Sequence, residues 1–464
     1  MDIQRSESLD LLRGIAISGM VLSGGIPFDG VMPAWMYHAQ VPPPLHKFTP
    51  IAGITWVDLV FPFFLFAMGA AFPFAFRGKV ERQMPVWAIG ADIFKRFILL
   101  AFFAIFLHHV KPLQLSADPQ TLECCIGLLG FILLFGMYLR PFASEGMSST
   151  VRQLLSFAAA CTLLSFLKYP ESKLCAAFCL KRSDIILLIL ANMAFFGSLL
   201  YWITWRQPLL KWLLLPILLV IFLGKESNWY KEIFVETHWG WLYRFEYLKY
   251  LFIIVPGIHA GELLGSESGE SVAEPNSSHR DRLLFIAVFA FALVPINLWG
   301  LFTRNLLINS ILNIIIIVVL DFLTAKHLSP AQRDLTRSGA FLLILGLVFE
   351  SYQGGIKKDP ATFSYFFVTS GLAFYQIVCY CCLQKVDVLR WVRRIFSLVG
   401  QNPMVAYVSG QLIIIPFLRL TGLVKPWSAM NANAYSGIFK GCLFTTMVLC
   451  ITLLTVRHKM FWKT

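Results

Sequence analysis

Two histidines and a carboxylate stand close together early in the chain. The segment Met36-Tyr-His38-Ala-Gln-Val-Pro-Pro-Pro-Leu-His46-Lys-Phe-Thr-Pro-Ile-Ala-Gly53 leads directly into Ile-Thr-Trp-Val-Asp58-Leu-Val-Phe-Pro62. Histidine acts as a base near neutral pH. A carboxylate beside it fixes the ring tautomer and stabilises the imidazolium formed when the ring takes a proton. The three prolines stiffen the approach to Asp58. The plain alternative is that both histidines are solvated loop residues. Pro62 adds a second feature, because it removes the hydrogen bond that the Asp58 carbonyl would otherwise receive. An apolar helix beginning this way carries a carboxylate and an unpaired backbone oxygen at its mouth. A membrane tolerates that only where protein or water covers it.

Two further groups of residues have types suited to chemistry. In Ser8-Leu-Asp10-Leu-Leu-Arg13-Gly14, Asp10 and Arg13 are three apart and share a helix face. They read either as a snorkelling anchor or as a guanidinium grip on a phosphorylated ligand. Later, Asn305, Asn309 and Asn313 repeat along one helix face, and Glu350 with Gln353 and Asn402 with Gln411 are also polar residues within apolar stretches. Interhelical hydrogen bonding explains buried asparagines, and a polar cavity is the sharper reading. Glu350 is the hardest to leave unexplained, since an unpaired carboxylate in hydrocarbon is very unfavourable.

The elements that must position these residues are membrane helices. Of 464 residues, 57% are hydrophobic and 14% charged, and phenylalanine alone occurs 42 times. The mean hydropathy is +0.69. Runs of about 17–25 apolar residues start near Leu9, Ile54, Trp87, Leu122, Leu248, Leu283, Leu306, Ser338, Ser364, Ser397 and Gly437. Residues 151–224 supply three more spans, or two and a re-entrant piece. The expected fold is all-α, a polytopic membrane helix bundle of about twelve to fourteen transmembrane helices.

Arg77, Lys79, Arg82, Arg390, Arg393, Arg394, Arg457 and Lys459 place both termini in the cytoplasm and the His38–His46 loop outside. The net charge of +13 is thus a matter of topology, and no basic run suggests nucleic acid. The first apolar run, interrupted by Asp10 and Arg13, does not read as a cleavable signal. We expect a single domain over residues 1–464, with a polar cytoplasmic linker at about 265–281 between two unequal halves. Cysteines fall mostly within spans. Cys175 and Cys179 are placed where a disulfide is conceivable, and no spacing suggests a metal.

These motifs also carry a resemblance. The Ser8–Gly14 motif, the outer-loop histidine and Gly53-Ile-Thr-Trp-Val-Asp58-Leu-Val-Phe-Pro62-Phe-Phe-Leu-Phe resemble the N-terminal signature of the heparan-α-glucosaminide N-acetyltransferase-like family. Pro256-Gly-Ile-His-Ala-Gly-Glu-Leu-Leu264 and Gly400-Gln-Asn402-Pro-Met-Val-Ala-Tyr407 resemble two further blocks of that family. Gly354-Gly-Ile-Lys-Lys-Asp-Pro360 is similar to a motif of its bacterial branch.

The resemblance implies a transmembrane acetyltransferase that takes acetyl groups from cytoplasmic acetyl-CoA and delivers them to an amino sugar or glycan on the far side. It points to His46 as the catalytic histidine, with His38 as the second candidate and Asp58 close behind. It further implies that Asp10 and Arg13 face the coenzyme, and that Asn309, Glu350, Asn402 and Tyr407 line the path between. The family usually has asparagine at the outer end of the first helix, where this chain has Ser23-Gly24. The implied setting is a bacterial inner membrane, with the lipid bilayer, acetyl-CoA and the glycan as partners and a homodimer compatible with the reading. A secondary transporter or flippase for a sugar or envelope precursor, without thioester chemistry, is the competing reading.

Overall fold

The computed structural model describes residues 6–28, 30–41, 48–139, 146–170, 175–225, 230–235, 237–266 and 277–462. His46 and most of the polar linker lie outside the described residues. In chain order the longer helices are α1 (Glu7–Gly25), α2 (Trp56–Glu81), α3 (Val86–Val110), α4 (Thr121–Tyr138) and α5 (Gly146–Phe166). Then come α6 (Ile185–Thr204), α7 (Pro208–Leu223), α8 (Leu251–Ser266), α9 (Ser277–Phe302) and α10 (Leu306–His327). The last are α11 (Pro330–Phe349), α12 (Phe363–Val386), α13 (Arg390–Gln401), α14 (Pro403–Leu420) and α15 (Ala434–Arg457). Among the described residues no strand forms, only two isolated bridges.

Among the described residues nine helices are long and apolar enough to cross a membrane: α2, α4, α6, α8 with the turn before it, α9, α10, α12, α14 and α15. This is an all-α polytopic helix bundle, and it fits a multi-pass membrane protein. The helices α1, α3, α5 and α11 have comparable length, 19 to 25 residues, but α1, α3 and α11 each carry three charged residues and α5 carries Arg152 among several serines and threonines. Residues 151–224 hold three helices, of which α7 has only 16 residues. One expected boundary moves. The run starting near Ser397 is broken at Asn402-Pro403, where Asn402 sits at φ −133° and ψ 55°, because a residue before proline is pushed out of the helical region. The apolar span there is Pro403–Leu420.

By its contacts the chain divides into two compact units, one formed by Met1–Gln83 with Tyr250–Gly400, the other by Met84–Lys249 with Gln401–Thr464. The first unit holds α1, α2 and α8 to α13. Its helices approach through glycine. A Cβ on Gly257 or Gly261 of α8 would lie 2.4 Å from the Phe66 carbonyl oxygen or 2.2 Å from that of Ala70 in α2. With no Cβ, the two backbones can touch, which is how apolar helices gain contact in lipid. The α1–α13 crossing is equally close, since a Cβ on Gly400 would meet the Asp10 carbonyl oxygen at 1.9 Å.

Helix α12 is the centre of this unit, with 94% of its most apolar window buried. It repairs two proline kinks. Pro62 leaves the Asp58 carbonyl without its helical donor, and the Tyr365 hydroxyl donates to it at 2.7 Å. Pro256 does the same to Phe252, whose carbonyl accepts from the Ser370 hydroxyl at 3.3 Å. Protein therefore covers the unpaired oxygen that the α2 sequence implies.

The second unit holds α3 to α7, α14 and α15. In it α3 packs along α6, and α4 along α5. Cys175 and Cys179 are joined as a disulfide.

Candidate functional site

The mouth of α2 is built around Asp58, which is fully buried. Asp58 is the third residue of α2, and its Oδ2 accepts the Thr55 backbone N–H at 2.9 Å, one half of a capping box. The Ala39 backbone N–H reaches the same oxygen at 3.4 Å. Capping would need only that one oxygen. The other, Oδ1, lies 2.6 Å from Nδ1 of His38. A carboxylate surrounded by donors only accepts, so Nδ1 carries the proton and Nε2 is the lone-pair nitrogen. His38 is about one-third exposed, so the base faces outward while its orienting partner is sealed in.

A lysine stands beside the pair. Nζ of Lys358 is 3.1 Å from Nδ1 and 3.3 Å from Nε2 of His38, and 3.9 Å from Asp58 Oδ1. Burial pushes the Lys358 pKa below its ordinary value, and the Asp58 and Asp359 carboxylates oppose that shift. Two loops carry these groups, and they are stitched together. The Gln40 side chain, almost fully buried, donates to the Ile51 and Gly53 carbonyls at 2.9 and 3.0 Å and accepts the Lys358 backbone N–H at 3.3 Å. The Gly53 N–H donates to the Ile356 carbonyl at 2.7 Å. Gly53 sits at φ +142°, a conformation only glycine adopts readily.

Glu350 anchors the second loop. Its carboxylate is paired with Arg304 and accepts the Ile356 N–H at 2.6 Å and the Ser364 hydroxyl at 3.3 Å. The buried carboxylate that the sequence leaves unexplained thus has a charge partner. Its visible work is to shape the turn that presents Lys358.

The remaining candidates are placed elsewhere. Asp10 and Arg13 pair at 3.0 Å, and the guanidinium also donates to the Gly400 and Ala67 carbonyls, both at 3.3 Å. Arg13 is 16% exposed and clamps α1, α2 and α13 rather than snorkelling. Asn309 and Asn313, both fully buried, close on Asn297 of α9. Asn305 is an exposed N-cap residue of α10. Asn402 and Tyr407 belong to the second unit. There Asn402 holds Thr455, the Met460 carbonyl and the Trp462 N–H, and the Tyr407 hydroxyl donates to Asp184, which also pairs with Lys111 at 2.8 Å. His46 lies outside the described residues.

Of the named residues, the structure brings His38 and Asp58 together. Sequence reasoning did not single out Lys358, Gln40, Tyr365 or Asn297. The one signal for Lys358 was the Gly354–Pro360 motif that contains it.

Compared with curated proteins, the chain has no match. A family model described as a domain of unknown function (DUF5009) matches residues 5–264, which include His38 and Asp58 but stop short of Lys358. That match covers more than half of the sequence, and the chain belongs to the DUF5009 family.

Proposed function

We propose that this protein is an acyltransferase that moves an acetyl group from acetyl-CoA to a glycan acceptor at the mouth of α2, with His38 as its base. The observation that carries the reading is the 2.6 Å contact between a buried carboxylate and an imidazole about one-third exposed. That arrangement makes Nε2 the proton-accepting nitrogen, with Lys358 Nζ 3.3 Å from it. The resemblance of the Ser8–Gly14 and Gly53–Phe66 motifs to the heparan-α-glucosaminide N-acetyltransferase-like family supports the same chemistry.

The acceptor gives its proton to Nε2 and attacks the thioester carbonyl carbon. The carbon–sulfur bond breaks, and the thiolate leaves with the electron pair and takes the proton back from His38. Asp58 holds the ring in the productive tautomer throughout. In this reading the donor comes from the cytoplasm of a bacterial cell and the acceptor from the outer side of the inner membrane. Arg13, which holds three helices together through Asp10 and the Gly400 and Ala67 carbonyls, would face the coenzyme in this reading.

The test is transfer from labelled acetyl-CoA in sealed vesicles, comparing wild type, His38→Ala and His46→Ala with a pool of envelope glycans outside. Label reaching an outer acceptor in wild type and His46→Ala, but not in His38→Ala, is the expected result. Loss only in His46→Ala would move the base to His46. If no CoA is released with any acceptor, the acyl-transfer reading falls, and solute uptake becomes the next assay.

A further inference from the structure

The Lys358 ammonium has three protons to place. Among the described residues the acceptors within reach are the ring nitrogens of His38, and Nδ1 is already committed to Asp58. The Asp58 carboxylate is 3.9 Å away, beyond hydrogen-bond distance. Its oxygens are taken up by His38 and by the Thr55 and Ala39 N–H groups. The half-buried ammonium thus has carboxylates near its charge but a single good hydrogen-bond acceptor, so two of its N–H groups await a partner.

The backbone beneath Lys358 is fixed. Gln40 holds its N–H, the Lys357 N–H goes to Thr362 Oγ1 at 3.0 Å, and Glu350 holds Ile356. The side chain itself is 27% exposed, so a ligand can reach it.

We propose that Lys358 is the anion-recognition residue of this site, and that the acceptor is an acidic glycan. The glycan's carboxylate or phosphate takes the Lys358 ammonium while a neighbouring hydroxyl gives its proton to His38 Nε2. This rests on the acyl-transfer reading above and narrows it to ester formation. An amino sugar would have to bring an ammonium within a few ångströms of the Lys358 cation, where like charges repel. A hydroxyl carries no such charge. Drawing Nζ toward an anion also removes it from Nε2, so a correct acceptor uncovers the base as it binds. The products are an acetate ester and free CoA thiol, with no change of oxidation state.

The experiment uses the full-length protein and four probes: methyl glucuronide, glucose 6-phosphate, methyl glucoside and glucosamine. Binding is read by calorimetry without acetyl-CoA, and transfer by CoA release in proteoliposomes. We expect at least one acidic probe to bind about tenfold or more tightly than the neutral one, as a charge-assisted hydrogen bond allows. Lys358→Gln should bring the two level, and Lys358→Arg should keep most of the preference. The two acidic arms show whether carboxylate or phosphate is the anion.

Thermal unfolding of each variant separates lost recognition from lost folding. Acid binding that survives Lys358→Gln, or glucosamine bound as tightly as the better-bound acid, overturns the inference. If glucosamine is acetylated faster than both acids, acyl transfer stands and the acidic-acceptor inference falls. If acid binding depends on Lys358 but no probe releases CoA, recognition stands and the acyl-transfer reading falls.

Discussion

The Tyr365 hydroxyl donates to the backbone carbonyl of Asp58, 307 positions earlier in the chain, at 2.7 Å. That carbonyl has no helical partner because residue 62 is proline. Tyr365→Phe leaves a buried acceptor bare and should lower stability by about 1–3 kcal/mol. Pro62→Ala supplies a backbone N–H for the same oxygen, so adding it to Tyr365→Phe should recover part of the loss. Thermal unfolding of the two single variants and the double variant measures the coupling. Strict additivity would mean that the two residues do not share this carbonyl.

Asp58→Asn tests the orienting role of the carboxylate. The amide can still accept the Thr55 N–H, so α2 should keep its start. An amide NH₂ turned toward His38 would select the wrong tautomer, with the proton on Nε2. Transfer should fall by about 10²–10⁴-fold while the acceptor KM changes little. An Asp58→Asn enzyme within threefold of wild type, an allowance of about 0.7 kcal/mol, would reduce Asp58 to a helix cap.

Among the described residues Glu350 acts on the site through the turn that bears Lys358. Glu350→Gln loses the Arg304 ion pair but keeps an oxygen for the Ile356 N–H. Arg304 is 37% exposed, so solvent screens the pair, and a loss of about 1 kcal/mol is expected. The preference for acidic acceptors should shrink while transfer to neutral ones falls less. An unchanged preference would show that the turn holds its shape without the carboxylate.

The depressed Lys358 pKa sets a pH window. Anion binding requires the ammonium, so it should fade as pH rises through the folded value, which lies below the ordinary 10.5. For stability the sign is opposite to that of a group whose pKa is raised. The folded protein bears the unfavourable charge at every pH below the folded value. That burden is relieved as pH climbs from there toward 10.5, because only the unfolded chain still binds the proton. Isotherms for the acidic probe from neutral to alkaline pH, with Lys358→Arg as control, should show a fall in wild type alone.

Gly261 meets α2 where no side chain fits, with the Ala70 carbonyl 2.2 Å from a would-be Cβ. Gly261→Val should destabilise at the upper end of ~1–3 kcal/mol, because the added Cβ meets Ala70 backbone, which cannot rotate away. Thermal unfolding reads the effect directly. A melting temperature like that of wild type would mean that α8 and α2 lie farther apart than described.

Much of this was legible before any coordinates. Apolar run lengths gave the all-α bundle, and Pro62 with Asp58 marked a backbone oxygen in need of a partner. The partner was not legible, because no local rule links Tyr365 to a carbonyl so far upstream. His38 was read as second to His46, since position before the α2 motif says nothing of which ring reaches the carboxylate. Lys358 was hidden for the same reason, its loop reaching Asp58 only through the hydrogen bonds of Gln40 and Gly53. The asparagine face was visible on α10, but Asn297 stood alone on α9 and no periodicity pointed to it. The break at Asn402-Pro403 was in plain view, and only the apolar run on both sides concealed it.

The two hydroxyls of α12 also set an order of assembly. At ~5–20 residues per second, synthesis of the chain between Asp58 and Tyr365 takes about 15–60 s. During that time the kinked helix α2 exists without its donor, and α8, made later, waits in turn for Ser370. A nascent chain that has not yet delivered Phe363–Val386 holds a bare carbonyl at Asp58 in α2 and, once α8 is made, a second at Phe252. Biogenesis of the first unit therefore ends late, when its central helix arrives. A product truncated before that helix is an unfinished membrane protein open to quality-control proteases, however many helices it already contains.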